Sequence, residues 1–379
     1  MKTRNCIVGF LLGAVVFLAS CQSTVTVRHL VPAAVNMGSY RNIAVASTTL
    51  NTATLGFYPT WNISFDDFGY RFSTGYERDS ARRAAEIATD AFTKTLQSSG
   101  FFTVFPPSET DNYLGIGADG VQLLKQKGVK AIVRSSISYL DLDEHPYSED
   151  IVEYKTDPKT NSSRKYVTGR KYFISQEVTL SFTYLVKDIE SGTILTSGTL
   201  TGKRSKDTEV ARRVYQGNTF NDQRVYSYTY APSVTGMITS ILNEFQDKIA
   251  RQLMPTWQYS TLTLMGNKPK ENAVKDAYRL ADNGDIEQAY AIFAAQWQAT
   301  GHVPSGYNAA LMLEASGNLS GAISLMNQVV SSSGNGDAYG ALNRMMEAQK
   351  SQQEAQNQID GTSTKGESGV VTTQVVTGN

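Results

Sequence analysis

The chain predicts a layered α/β domain (a sheet with helices packed on it, α/β or α+β in class), followed by an all-helical C-terminal module. Three observations predict this. Val178, Leu180, Phe182, Tyr184 and Val186 alternate with polar residues between Gln176 and Lys187, the period of a half-buried strand. Ala84, Ile87, Ala88, Ala91, Phe92 and Leu96 fall on one face of a helix between Asp79 and Ser99. Beyond Pro269, Ala277-x-x-Leu280-x-x-x-Gly284-Asp285-x-x-x-Ala289 recurs as Ala310-x-x-Leu313-x-x-x-Gly317-Asn318-x-x-x-Ala322.

The N-terminal residues come first. Lys2 and Arg4 precede an apolar run from Ile7 to Ala19, closed by Leu18-Ala19-Ser20-Cys21. Such a run is too short to span a bilayer comfortably. A basic start, a short apolar stretch and small residues at its end read as a secretory signal peptide over residues 1–20. The tetrapeptide resembles the lipobox of bacterial lipoproteins. That resemblance implies a mature chain beginning at Cys21, with lipid on the thiol and on the new N-terminus. Buried acyl CH2 groups contribute about 0.8 kcal/mol each, and two or more chains anchor stably. One partner is then a membrane, reached through the lipid, and residues 21–37 are read as an extended lipidated tether. Gln22 stands where some bacteria place an aspartate for inner-membrane retention, which points to the periplasmic side of the outer membrane.

Composition narrows the function. Lys plus Arg total 35 and Asp plus Glu total 35; losing Lys2 and Arg4 leaves the mature chain slightly acidic. A nucleic-acid binder would show a basic face, so nucleic acid is not an expected partner. Of the 2 cysteines, Cys6 leaves with the leader and Cys21 takes lipid, so no disulfide is expected although the compartment is oxidising. Apolar content of 41% suffices for a packed core. No later segment reaches about 18 consecutive apolar residues, so no spanning helix is expected.

Residues 38–256 carry the α/β domain. Ile43 to Ala46 reads as a short buried strand. Residues 50–78 form a long connection rich in aromatics: Phe57, Tyr58, Trp61, Phe65, Phe68, Tyr70 and Phe72. A helix follows from Asp79, which can cap it, to Ser99, with Gly100 as its terminator. Phe101 to Phe105 is a strand stopped by Pro106 and Pro107, and Gly120 to Lys127 is a shorter helix. Ala131 to Leu142 and Gln176 to Lys187 are strands, and Thr193 to Lys203 returns as a hairpin partner. Pro232 opens a long helix that Pro255 closes, with Val234, Ile238, Ile241, Phe245 and Ile249 on its apolar stripe.

Residues 257–270 read as a linker and residues 271–354 as helical repeats. The offset of roughly 33 residues and the small residues at helix contacts resemble a tetratricopeptide repeat, one residue short of its period of about 34. Asp337 to Gln353 reads as a further helix capping the pairs, and residues 355–379, rich in Gln, Ser, Thr and Gly, as a disordered tail.

The central domain is similar to the periplasmic lipoprotein family of curli-secretion channels (CsgG) and penicillin-binding-protein activators (LpoB). The resemblance rests on element order and on Tyr40-Arg41-Asn42-Ile43-Ala44-Val45, Leu96 to Val104, and Val186-x-Asp188-x-x-Ser191-Gly192-x-Ile194-Leu195. The channel branch implies ring formation and a barrel made from two hairpins per subunit, which would fall at Asp143 to Ser175 and Arg204 to Tyr230. The first of these carries Glu144, Glu149, Asp150, Glu153, Lys155, Asp157, Lys159, Arg164, Lys165, Arg170 and Lys171. Charges in lipid cost roughly 2–4 kcal/mol each near the midplane, so a water-facing hairpin is the expectation.

Gly115-Ile116-Gly117-Ala118-Asp119-Gly120 matches G-x-G-x-x-G, but Glu109 to Leu114 precedes it where the dinucleotide motif needs a strand. His29, His145 and His302 lie far apart, and His145 follows Asp141, Asp143 and Glu144 at what reads as a solvated acidic strand end. No metal site, cofactor or catalytic residue is therefore assigned, and the chain is not read as an enzyme. The expected function is a membrane-anchored, protein-binding or scaffold lipoprotein of the envelope. Its expected partner is another envelope protein or a second copy, with the aromatics of 57–72 as candidate anchors. Alternatives are a ring-forming secretion channel and an activator of a cell-wall synthase.

Overall fold

The structure is a computed structural model that describes residues 22–362 apart from 51–54, 57–61, 66–67, 74–82 and 229. It is mixed α/β with a C-terminal helical segment. The chain divides into two compact units. One comprises the described residues through Val31 together with Trp257–Ala355; the other comprises Pro32–Thr256 and the residues from Gln356 on.

The larger unit is organised by its sheet. Short strands β2 (Asn42–Val45), β3 (Thr49–Leu50), β4 (Leu55–Gly56) and β7 (Thr103–Phe105) join three long ones, β8 (Ala131–Thr156), β9 (Ser163–Asp188) and β10 (Ile194–Gln216), and the edge strand β11 (Thr219–Arg224). The order is β11-β10-β9-β8-β2-β7, with β3 and β4 also on β8. β2 runs parallel to β7 and β8, whereas β8 to β11 form an antiparallel meander. A separate ribbon pairs β5 (Asn62–Phe65) with β6 (Phe68–Ser73).

Side-chain alternation decides what each face receives. Ile43, Val45, Ala131, Val133 and the series Val178 to Val186 meet helix α1 (Ala84–Ser98) and helix α4 (Thr235–Leu253). Phe92 of α1 stands edge-on to Phe182 at 5.6 Å. The intervening residues Ala44 and Ile132 point the other way, onto α2 (Pro107–Gly115) and α3 (Ala118–Gln126), where Leu124, Val129 and Ile189 complete a small core.

Three differences from the sequence reading have physical causes. α2 fills a stretch to which the sequence reading assigned no element; its PSETDNYLG sequence shows no apolar stripe, and its start is marked by Pro107 and by Glu109 in its first turn. The three long strands run far past the Val178 to Val186 stretch, because ladder hydrogen bonds continue outward past the buried Tyr172 and Ile174 to a charged tip. Residues 355–360 do not behave as tail. The last helix continues to Ile359, and Gln358, 3% exposed, brackets Ala33 by accepting from its N–H at 2.8 Å and donating to its carbonyl at 3.1 Å.

The smaller unit holds helices α5 (Lys275–Asp282), α6 (Ile286–Thr300), α7 (Val303–Ala315), α8 (Leu319–Ser333) and α9 (Gly336–Ile359, through Ala355). Phe293, Leu311, Met312, Met326, Val329 and Met345 form its core. Gly284 (φ 85°) and Gly317 (φ 87°) end the first helix of each repeated pair in a left-handed turn that favours glycine. Where a tether and a linker were expected, strands β1 (Thr24–Val31) and β12 (Thr256–Thr263) pair with each other. Val25, Val27 and Leu30 are buried on β1; the strand is too short for its alternation to stand out in the sequence.

A buried charge cluster ties β1 to the helices. Glu314 of α7, its side chain fully buried, receives two hydrogen bonds from the Arg344 guanidinium of α9, the Nη2 one at 2.7 Å. His29 Nε2 lies 3.1 Å from Glu314 Oε1. Burial pushes the Glu314 carboxyl up, but the Arg344 hydrogen bonds and His29 outweigh it and hold it below the usual 4.5. Breaking a buried pair is costly because a bare charge remains. Arg344→Met should lower stability by about 3 kcal/mol in urea unfolding, the low end of the range because Arg344 is one-third exposed. A depressed carboxyl stabilises fully above about 4.5 and loses that contribution as pH falls through its lower folded value. The deficit of Arg344→Met should therefore shrink in acid.

Candidate interaction site on the extended sheet

Past Asp141, where the β4 ladder ends, β8 continues with β9 alone as its strand neighbour among the described residues. The β8–β9 register carries on to Thr156↔Ser163, β9–β10 to Gly169↔Val214, and β10–β11 to Gln216↔Thr219. The result is an antiparallel four-stranded extension that, among the described residues, has β11 as one edge and the outer half of β8 as the other. Free edges present unpaired N–H and C=O groups to an added strand.

Near the body, one face of the extension is covered. Ile63 and Phe65 of β5 and Phe72 of β6 pack with Tyr172, Ile174, Val210, Ala211 and Ala231. Phe65 meets the fully buried Tyr172 ring edge-on at 5.2 Å. At the same level Glu144 and Gln176 sit directly opposite one another. Gln176 Nε2 donates to Glu144 Oε1 at 2.5 Å and to the Pro232 carbonyl at 2.7 Å. The Gln176 carbonyl oxygen is buried without a partner. Burial raises the Glu144 carboxyl, the Gln176 hydrogen bond opposes this, and Asp143 adds to it.

The other face is open and polar. Tyr147 stacks on Phe173 at 5.1 Å, and Lys203 pairs with Glu177 at 2.6 Å. Farther out, on the side that carries Tyr172 and Ala211, Arg213 grips Asp222 through two hydrogen bonds of 2.7 and 3.0 Å and lies 4.1 Å over the Phe220 ring. Tyr154, Tyr166, Phe220 and Tyr228 are exposed. The tip pairs Glu153 with Tyr166, Tyr154 with Lys165 and Lys155 with Arg164, which puts charge on both faces. This arrangement offers exposed aromatics, strand edges and paired charges, the equipment of a docking surface.

The sequence-derived candidates distribute unevenly. Leu18, Ala19, Ser20 and Cys21 lie outside the described residues, as do Phe57, Tyr58 and Trp61. Phe68 and Tyr70 belong to β6, their side chains outside the described set. Phe65 and Phe72, 8% and 0% exposed, are packing residues rather than free anchors. Of the acidic strand end, His145 is exposed but Glu144 is buried. The glycine motif joins α2 to α3: a Cβ on Gly120 would lie 1.7 Å from the Tyr113 carbonyl oxygen, so the motif serves helix packing. Tyr154, Tyr166 and Phe220 were missed, isolated in polar surroundings that gave no signal short of knowing the strand register. Among the described residues no group of three or more His, Cys, Asp or Glu is placed to hold a metal, and no helix is long and apolar enough to cross a membrane.

No family model matches the chain, and no curated protein matches it. Solved structures similar to it include a homolog of neuraminyllactose-binding hemagglutinin from Helicobacter pylori, at 9% identity and TM-score 0.25 over 57% of this chain and 86% of that one. Others are the PelC dodecamer from Paraburkholderia phytofirmans (10%, TM-score 0.22, 61% and 97%) and lipoprotein GNA1162 from Neisseria meningitidis (12%, TM-score 0.22, 55% and 97%). Scores this low carry no argument for the present chain.

The Glu144–Gln176 pair makes a checkable point. A carboxyl raised by folding stabilises below its unfolded value and ceases to as pH rises through its folded value. Glu144→Gln keeps the shape, removes the buried charge and supplies a donor for the orphaned Gln176 carbonyl. It should stabilise the protein by about 1 kcal/mol at neutral pH, with the gain vanishing in acid when urea midpoints are compared.

Proposed function

We propose that this chain is a non-catalytic lipoprotein, anchored through Cys21 on the periplasmic side of the outer membrane, that binds another envelope protein or a second copy of itself through its extended sheet. The observation that carries this is the extension itself: strands of 26, 26 and 23 residues run past their helical cover and end in open edges with exposed tyrosines. An anchor confines the protein to a layer and raises the effective concentration of partners there. The repeated helix pairs, read as a tetratricopeptide-like module, would supply a second contact surface. A CsgG/LpoB-like assignment fits the element order, and the Val186 to Leu195 match falls on the turn joining β9 to β10.

A second reading, a ring of copies joined from β11 to the outer half of β8, is favoured by those same two edges. Charges on both faces of the β8–β9 tip weigh against its insertion as a lipid-facing barrel.

Photo-crosslinking amino acids at Tyr154 and Phe220 in living cells test the proposal. The expected products join this chain to an envelope protein or to itself, and they should weaken in Cys21→Ser. Recovery of a cell-wall synthase would specify the activator role, and a ladder of self-conjugates the ring. Absence of adducts at both positions would contradict the proposal.

A further inference from the structure

We infer that the outward face of the β1–β12 ribbon is a membrane-contact surface lying against the headgroup layer of a lipid bilayer, an inference that rests on reading Cys21 as the anchor. Little chain separates that cysteine from the folded body. Ser23 Oγ donates to Asp282 Oδ2 at 2.8 Å, and the Thr24 N–H donates to Asp282 Oδ1 at 3.1 Å. The chain is therefore pinned two residues after Cys21. An extended chain covers at most about 3.6 Å per residue, so the Cys21 Cα lies within about 7 Å of Ser23. A lipid at that position would hold the helical unit at the bilayer surface.

Alternation then selects the face. Val25 and Val27 of β1 and the partly buried Leu262 of β12 point into the helical core. Thr24, Thr26 and Arg28 are exposed on the other side of β1, whose next member Leu30 is buried, and Trp257, Tyr259 and Thr261 are exposed on β12. Trp257 is 51% exposed and Tyr259 66%, and the Arg28 guanidinium lies 5.1 Å over the Trp257 ring. Neither strand contains Asp or Glu, so neither carries a charge that lipid phosphates would repel. Tryptophan and tyrosine favour the membrane interface, where the ring is half immersed and its polar edge stays wet. A cationic side chain beside them is drawn to anionic headgroups.

Geometry makes the inference sharp. The Leu264 N–H donates to the Ser23 carbonyl at 2.9 Å, so the end of β12 sits beside the anchored end of β1. Trp257 lies at the far end of the ribbon, beside Arg28. From Ser23 to Arg28 the strand advances roughly 17 Å at about 3.3 Å per residue. A ribbon standing upright would lift Trp257 well clear of acyl chains; one lying flat brings the indole into the headgroup layer.

The test uses the whole chain from Cys21 to Asn379, which has one cysteine because Cys6 belongs to the leader. That thiol is coupled to a maleimide phospholipid in phosphatidylcholine vesicles, made with or without brominated acyl chains. Bromine quenches nearby indoles, and Trp257→Phe identifies the contribution of that residue against Trp61 and Trp297. The expected result is a loss of emission in brominated vesicles that is absent from Trp257→Phe. Equal quenching of the two proteins would overturn the inference. Chemical coupling makes this outcome independent of acylation in cells. Failure of the anchor reading would show separately, as Cys21→Ser remaining in the envelope fraction unchanged.

Discussion

Pairing of β9 with β8 on one side and β10 on the other is the constraint from which the larger unit follows. Side chains in a strand alternate with a period of two, so a slip of one residue would send every core side chain to the opposite face. In the observed register, Tyr172, Ile174, Gln176, Val178, Leu180, Phe182, Tyr184 and Val186 all face the covered side. The apolar inner half of β9, packed under α1 and α4, fixes that register. The outer half inherits it, although little apolar surface there would select it independently. Irregularities at Ile137/Tyr139 on β8 and Glu209/Ala211 on β10 adjust the neighbours locally over the covered stretch of β9; nearer the tip, at Ile151/Val152, the ladder skips Thr168 of β9 itself.

The two units solve the problem of buried polarity differently. In the sheet, Glu144 and Gln176 leave one carbonyl unpaired and a carboxyl that resists ionisation. In the helical unit, Glu314 is buried more completely, yet Arg344 and His29 keep it charged. A fully engaged charge of this kind locks one arrangement of strand and helices, whereas the partly satisfied pair at the start of the sheet extension makes that seam sensitive to pH. The pair sits where the extension leaves the helical cover, so its protonation bears on the stability of the surface proposed to bind partners.

Several elements were legible in the sequence because burial leaves a period. The Val178 to Val186 alternation, the Ala84 to Leu96 stripe, the Ile238 to Phe245 stripe and the Gly284/Gly317 pair each mark an element that the structure contains. What escaped had no period to leave. The β8–β9 tip carries charge on both faces, α2 lacks an apolar stripe, and β1 is a strand of 8 residues that reads as tether beside a leader. Glu144 looked like one of several solvated acids because nothing local distinguishes it; its burial comes from Gln176 and the Pro232 segment. The Glu314–Arg344 pair joins two helices through tertiary packing that no short-range pattern encodes.

Because the inner half of β9 sets the register for the outer half, amide hydrogen exchange along that strand tests the account most directly. The account predicts slow exchange continuing from Val186 through Val178 and on to Gly169, with fraying confined to the hairpin tip. Protection that ends at Gln176, with residues 169–175 exchanging like open chain, would contradict it. The extension would then not be the ordered surface on which the proposed binding depends.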